Sequence, residues 1–245
     1  MPSDFPDWGG QYNDKQFFPL FDQAELAARL GSLMTYDRRG SVIWQEDFRY
    51  GLSRIFTRLD GVGSTVILSA AMSASPPFSA YPYVGAVVDA YAAVLCGVAV
   101  PQPPLVGFQA SVNPSILDDE IRHFLYHYDG AVKWYANLVI NLGANLFQVY
   151  VSPGVRVDLA SLSTAFGAST VFHHIKLVCD LAAHKLVRGI LDDQEFDLSD
   201  YDMLSSASVS DPDVEGAVMN FTTTGVACGM FVDNLIVTAA EPPNS

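Results

Sequence analysis

Charge is what this chain has least of. Only 16% of its 245 residues are Asp, Glu, Lys or Arg, against about 25% in an ordinary soluble domain. The missing polarity has to come from Ser, Thr, Ala and Gly on the surface, or from surface buried against other subunits. What charge there is runs acidic, a formal −14, which disfavours nucleic-acid phosphates and anionic membranes. Cysteine is scarce: Cys96, Cys179 and Cys228 are odd in number, far apart and without a C-x-x-C pair, so they supply no disulfide framework. In their apolar settings Cys179 and Cys228 read as small buried hydrophobes. The longest apolar run, Val84 to Val100, is interrupted by Asp89 and Gly97 and stopped by Pro101. It falls short of the ~20 residues a membrane helix needs and reads as two buried strands or a strand at a subunit interface. Met1 to Lys15 has neither the basic nor the apolar region of a secretory signal. The expectation is synthesis inside the cell, with the product there, in a virion or in a released particle. G-x-S-x-G, Walker A and G-x-G-x-x-G motifs are all missing.

What is there is β-structure. From His173 to Leu198, Ile175, Leu177, Cys179 and Leu181 alternate with His174, Lys176, Val178 and Asp180. Period two puts the sets on opposite faces of a strand. Ala182 to Lys185 reads as a turn, Leu186 to Leu191 as a returning strand, Asp192-Asp193 as a second turn, and Glu195 to Leu198 as a third strand. Two successive hairpins make an antiparallel meander. Met34 to Tyr36 and Ser41 to Trp44 flank a turn at Asp37–Gly40. Thr65 to Ser69, Leu105 to Val112, Lys133 to Ile140 and Phe147 to Val151 read as further strands. Residues 121–128 do too, with Phe124, Tyr126 and Tyr128 on one face and a hairpin signal at Asp129-Gly130. Strands every ten or so residues mean a sandwich or jelly roll.

Residues 1–33 differ. Phe5, Trp8, Tyr12, Phe17, Phe18 and Phe21 lie in a Pro- and Gly-broken stretch without period. It closes in a short helix, with Asp22 and Glu25 as a capping box, Phe21 and Leu26 as the staple, and Gly31 as the stop. So aromatic an arm calls for a surface to lie on, and those six aromatics are the expected partner-binding residues. The chain divides into the arm and helix at 1–33, an all-β antiparallel jelly-roll sandwich at 34–240, and a tail at 241–245.

Two stretches carry a resemblance. Glu46-Asp47-Phe48-Arg49-Tyr50-Gly51-Leu52 resembles the opening strand of jelly-roll modules, and Phe231-Val232-Asp233-Asn234-Leu235-Ile236-Val237 resembles their closing strand. His174 to Leu181 is similar to a strand of laminin-G-like and concanavalin-like sandwiches, a group that overlaps in pattern with galactose-binding-like modules. The segment from Ala24 to Trp44 looks like uncharacterised bacterial and phage-borne members. The resemblance implies a fold rather than an activity, since such sandwiches host many functions. It also implies a structural Ca2+ held by Glu46, Asp47 and Asp233, as hard oxygen ligands suit that ion, and no other cofactor. The glucanases of this group carry E-x-D-x-x-E. Here Glu195 and Asp197 are followed by Asp200 where the second Glu would stand, so catalysis is not carried over and no catalytic residue is assigned.

The remaining candidates are weak by type. His173 and His174 are adjacent and point to opposite faces of a strand. His123 and His127 would share a face for zinc only on a helix. Tyr81, Tyr83 and Trp134, with Tyr91 and Tyr135 beside them, are rings on which a sugar could stack. Asn220-Phe221-Thr222 is a glycosylation sequon. The first expectation is a non-catalytic structural protein that self-associates as a homo-oligomer, or docks on a larger assembly of virion, tail, decoration or filament type, through its arm and the apolar 84–100 run. The alternative is a carbohydrate-binding module that recognises a glycan through Tyr81, Tyr83 and Trp134. Neither involves nucleic acid or membrane insertion.

Overall fold

The computed structural model describes residues 37, 39–99, 104–114, 120–163, 166, 171–208 and 213–244. The arm and helix assigned to 1–33, with their six aromatics, lie outside the described residues, as do Met34 to Tyr36. Sixteen strands follow in order: β1 Ser41–Glu46, β2 Phe56–Asp60, β3 Thr65–Ser69, β4 Ser79–Val84, β5 Tyr91–Val98, β6 Leu105–Pro114, β7 Glu120–Tyr128 and β8 Val132–Asn141. Then come β9 Leu146–Ser152, β10 Val155–Ser161, β11 His173–Asp180, β12 Lys185–Leu191, β13 Gln194–Asp197, β14 Leu204–Ala207, β15 Asp213–Phe221 and β16 Cys228–Ala239.

They form two antiparallel sheets packed as a jelly-roll sandwich. The first runs β13-β12-β11-β6-β16-β4-β3, and the second β10-β9-β8-β7-β15-β5-β2. β16 is long enough to serve two neighbours on one edge: β4 along Cys228 to Val232 and β1 along Leu235 to Ala239. The opening and closing strands are therefore side by side, as their resemblance to module ends implies. The meander is β11, β12 and β13, joined by turns at Leu181–His184 and Asp192–Asp193. Asp180 Oδ1 accepts the N–H groups of Ala182 and Ala183, both at 2.9 Å, so the first turn is set by an Asx side chain.

Between the sheets, alternate residues interdigitate. Phe108 of β6, Leu138 of β8, Phe147 of β9 and Leu177 of β11 are fully buried in one cluster, each worth ~1.5–3 kcal/mol relative to exposure. The apolar run from Val84 divides into the end of β4, a turn, and β5. It stays apolar through β5 because that strand is buried on both faces: Val94 and Cys96 point into the main core, Ala93 and Leu95 into a separate cluster on the far side.

The outer face of the first sheet carries charge and is covered by the chain itself. Lys176 on β11 is 2% exposed. Its Nζ lies 2.7 Å from Asp37 Oδ2 and 2.6 Å from Glu241 Oε1. Fully buried Arg188 on β12 donates through Nη2 to Glu241 Oε2 and through Nη1 to the Pro242 carbonyl at 2.7 Å. Thr238 Oγ1 donates to Glu241 Oε1 at 2.5 Å. The cluster closes over Gly107, where a Cβ would lie 2.5 Å from Thr238 Oγ1 and 2.9 Å from Lys176 Cε. Burial opposes ionisation of Asp37, but the Lys176 charge and hydrogen bonds from Arg39 and Lys176 hold its carboxyl at about 2. Removing Glu241 leaves two buried cations short of a partner, a change that costs about 3–5 kcal/mol in comparable buried pairs. Glu241→Ala should lower the unfolding free energy measured by urea titration by that margin; a loss below ~1 kcal/mol, the range of an exposed pair, would show that the tail is not docked.

Candidate functional site

The second sheet's outer face gathers the remaining chemistry. β7 reads Glu-Ile-Arg-His-Phe-Leu-Tyr-His-Tyr. Ile121 and Leu125 point into the core, so Glu120, Arg122, Phe124, Tyr126 and Tyr128 point away from it. Phe124 and Tyr126 stack with centroids 5.2 Å apart, and Tyr126 has Tyr128 at 6.4 Å and Tyr135 of β8 at 6.1 Å. Ala93, Leu95 and Ala217 pack with these rings from β5 and β15. Lys133 Nζ sits over Tyr126 and Tyr135, 5.5 and 5.6 Å from the ring centres. Phe124, Tyr126 and Tyr128 are themselves 7–8% exposed, so the ring area that solvent reaches on this face is that of half-buried Tyr135 and Tyr91, with the Lys133 cation beside Tyr135.

At the other end of β7 the face turns polar. Glu120 holds two guanidinium groups. Arg122 Nη2 is 2.8 Å from Oε2, and Arg156 of β10 reaches Oε1 at 2.5 Å and Oε2 at 3.0 Å. Arg156 also donates to Tyr150 Oη at 2.5 Å and Gln148 Oε1 at 3.3 Å, and Gln148 Nε2 donates to Asp158 at 2.7 Å. Burial would raise the Glu120 pKa, but Arg156 and Arg122 together lower it. Six side chains from β7, β9 and β10 are thus locked in one orientation, reaching across β8.

Among the described residues, Asn137 Oδ1 and Glu215 Oε1 are acceptors on this face without a donor. Asn137 of β8 stands opposite Phe124 in the β7–β8 register. It is 3% exposed, and its buried Oδ1 makes no hydrogen bond. Glu215 of β15 stands opposite Tyr126; its Oε2 takes Arg58 Nη2 at 2.9 Å while its buried Oε1 is unpaired. Burial raises the Glu215 pKa beyond what Arg58 offsets, and Asp213 adds to the rise. Unpaired buried acceptors are uncommon and call for an explanation such as a water, an ion or a ligand.

The residues expected from the sequence fare differently. Tyr81 and Tyr83 lie on β4 in the first sheet, 6.4 Å apart, with Tyr81 against Phe231 at 4.7 Å. Trp134 lies on β8 in the second sheet, stacked on His184 at 3.8 Å with Nε1 donating to Asp129. These three therefore do not form one site, because parity along their strands sends them to different faces. Tyr135 and Tyr91 do join the aromatic face. Glu46, Asp47 and Asp233 do not meet as a ligand set. Glu46 Oε1 accepts Phe48 N–H and Asp47 Oδ1 accepts Arg49 N–H. Asp233 accepts the N–H groups of Ser75 and Asn234 at 2.7 and 2.8 Å. Among the described residues no group of three or more His, Cys, Asp or Glu side chains could hold a metal ion. Burial, with Asp47 adding to it, pushes Asp233 up to about 7. Glu195 and Asp197 sit on β13, the edge of the first sheet; Glu195 pairs with Arg39 at 2.5 Å, and Asp197 accepts Ser199 N–H. Asn220 of the sequon is buried, donating to the Pro82 carbonyl and accepting from Cys228 Sγ. All three cysteines are buried and none is joined in a disulfide. His173 pairs with Asp192, and His174 faces Ser111 Oγ.

No family model matches this chain, and no curated protein does. Solved structures do. Endo-β-1,4-glucuronan lyase from the fungus Trichoderma reesei superposes with a TM-score of 0.57 at 12% identity, covering 82% of this chain and 96% of that one. A Bacillus subtilis protein of unknown function with a galectin-like fold gives 0.48 at 8% identity, covering 83% and 98%. The cellulose-induced protein Cip1 gives 0.47 at 10%, covering 82% and 100%. At such identities the likeness is one of fold, and it places the chain among the antiparallel β-sandwiches.

Beneath the face, His123 of β7 is buried and stacked on Phe108 at 4.5 Å, with Nε2 against the Phe108 carbonyl at 2.9 Å. Burial lowers its pKa from 6.5 to about 4, the hydrogen bond opposing. Below pH 6.5 the unfolded chain takes up a proton that the folded chain refuses until about pH 4, so stability falls as pH drops through that window, by up to about 3 kcal/mol. His123→Gln, which keeps an N–H for the carbonyl, should flatten this part of a stability–pH curve measured by denaturant titration. An unchanged slope would assign the titration to another group.

Proposed function

We propose that this protein binds carbohydrate, without catalysis, on the outer face of its second sheet. The observation that carries the reading is the pair of buried unpaired acceptors, Asn137 Oδ1 and Glu215 Oε1, set among the rings of Phe124, Tyr126, Tyr128 and Tyr135. A sugar matches both halves of that surface. Its C–H face stacks on aromatic rings, and its hydroxyls donate to fixed acceptors. The Glu120–Arg122–Arg156–Tyr150–Gln148 network extends the face with groups already oriented, so little side-chain freedom is lost on binding. Read from the chain alone, assembly through the arm ranks first and glycan recognition second. The acceptors and rings on one face support the second reading, and we take recognition to run through Tyr126, Tyr135 and Asn137 rather than Tyr81, Tyr83 and Trp134. The reading is non-catalytic because the acids of the glucanase-like stretch, Glu195 and Asp197, lie on an edge strand of the other sheet with partners of their own.

A broad glycan array followed by calorimetry on the best hit tests this. Asn137→Leu removes an acceptor that has no donor in the free protein, so it should weaken binding about tenfold, the value of one hydrogen bond, while leaving stability equal or higher. Tyr126→Ala should lower both. A protein that binds no glycan at millimolar concentration, or whose binding ignores Asn137→Leu and Tyr126→Ala while responding to changes at Tyr81 and Tyr83, would overturn the assignment.

A further inference from the structure

The flank formed by β2 and β3 differs from the rest of the surface. β2 closes one edge of the second sheet and β3 one edge of the first, and the turn at Gly61–Ser64 joins them. One side of β2 pairs with β5 from Phe56 to Asp60; among the described residues no strand pairs with its other side. Every residue of β2 is exposed, and the exposed side chains include Phe56 at 66%, Leu59 at 48% and Val62 at 89%. Ile67 is exposed on β3, along the same flank. Unpaired N–H and C=O groups beside large apolar side chains form a template for another strand.

The chemistry of β2 selects that strand. We propose that β2 pairs antiparallel with β2 of a second copy of this chain, in the register that sets Leu59 opposite Leu59. Residues opposite each other in an antiparallel pair share a face. In this register Arg58 of each copy faces Asp60 of the other, twice by symmetry. The two Leu59 side chains meet on the core side, and Phe56 of each copy lies beyond the other's Asp60, where that chain turns away at Gly61. Moving the centre to Arg58 would set two guanidinium groups face to face and Phe56 against Asp60. Each copy carries a net −14, so two copies approach only through a locally neutral patch, and β2 holds one cation and one anion. Arg58 already donates to Glu215 at 2.9 Å and has further N–H groups to offer. Asp60 gives Oδ1 to Gly61 N–H at 2.8 Å and keeps its other oxygen for the pair. A two-fold axis perpendicular to the sheet leaves the outer faces of both second sheets on the same side. The pairing does not depend on whether those faces bind sugar.

Charge exchange on the full chain tests the register. The wild type should sediment as a dimer at high micromolar concentration. Asp60→Arg alone and Arg58→Asp alone should each raise the dimer Kd by ~10-fold or more, because like charges then oppose. Mixing the two single variants should restore association as a heterodimer seen by native mass spectrometry, and the double exchange should restore the homodimer. Circular dichroism melts establish that each variant is folded. If Arg58→Asp does not fold, Asp60→Arg and Leu59→Glu carry the test, each expected to give monomer. A monomeric wild type, a dimer indifferent to Asp60→Arg, or folded single variants that fail to associate when mixed would overturn the proposal.

Discussion

Lys176 and Arg188 stand on the first sheet with almost no water to solvate them, and the chain's closing segment lies where Glu241 must lie to neutralise them. Stripping two cations of water costs several kcal/mol each, and the cost is offset only while Asp37, Glu241 and the Pro242 carbonyl stay in place. That requirement draws Asp37, Arg39 and residues 240–242 over strands β6, β11, β12 and β16. Thr238 and Gly107 complete the fit, one by a hydroxyl and the other by having no side chain. Ends far apart in sequence are thereby tied to the middle of one sheet.

The tie has a consequence for function. With Asp37, Arg39 and residues 240–242 across it, and Ser75 fixed to Asp233 and Asn234, the β6–β11–β12 part of the first sheet is occupied by the chain itself. On the second sheet, the guanidinium groups of Arg122 and Arg156 converge on one carboxylate, while Asn137 Oδ1 and Glu215 Oε1 have no donor among the described residues. A buried acceptor left unpaired destabilises the free protein. Its place beside stacked rings is what the proposed recognition surface rests on.

How far the sequence anticipated this depends on the range of each interaction. The β11–β12–β13 meander follows from period two and turn chemistry, both local, and it was legible. So were the side-by-side opening and closing strands, through Asp47-Phe48 and Asp233-Asn234. The outward Phe124, Tyr126 and Tyr128 were legible from alternation alone. That Arg156 reaches Glu120, 36 positions earlier, was not, because it depends on the order β10-β9-β8-β7. Asn137 carried no signal, since an amide between apolar residues looks like any solvent-facing strand position. β15 is central to its sheet, yet its glycine obscured it. Gly216 is there because a Cβ would lie 2.5 Å from the Phe108 ring. Trp134 misled for the opposite reason: a large ring in a strand suggests stacking, but its partner is His184, from the hairpin turn of the other sheet.

The edges of the two sheets complete the picture. β13 is four residues long and carries Glu195 and Asp197, a short edge with like charges that repels a second copy of itself. β10 is bulged at two points and its Arg156 and Asp158 are engaged inward, so its hydrogen-bonding row is broken. The β2–β3 flank has neither defence. β3 is uncharged, and β2 has charges of opposite sign two residues apart, a spacing that repels in one register and attracts in the next one that keeps the faces matched. An edge guarded by like charges shuns partners generally. An edge whose charges cancel only against their own mirror image would select one partner and one alignment, which is the difference between the specific contact proposed for β2 and an aggregation hazard.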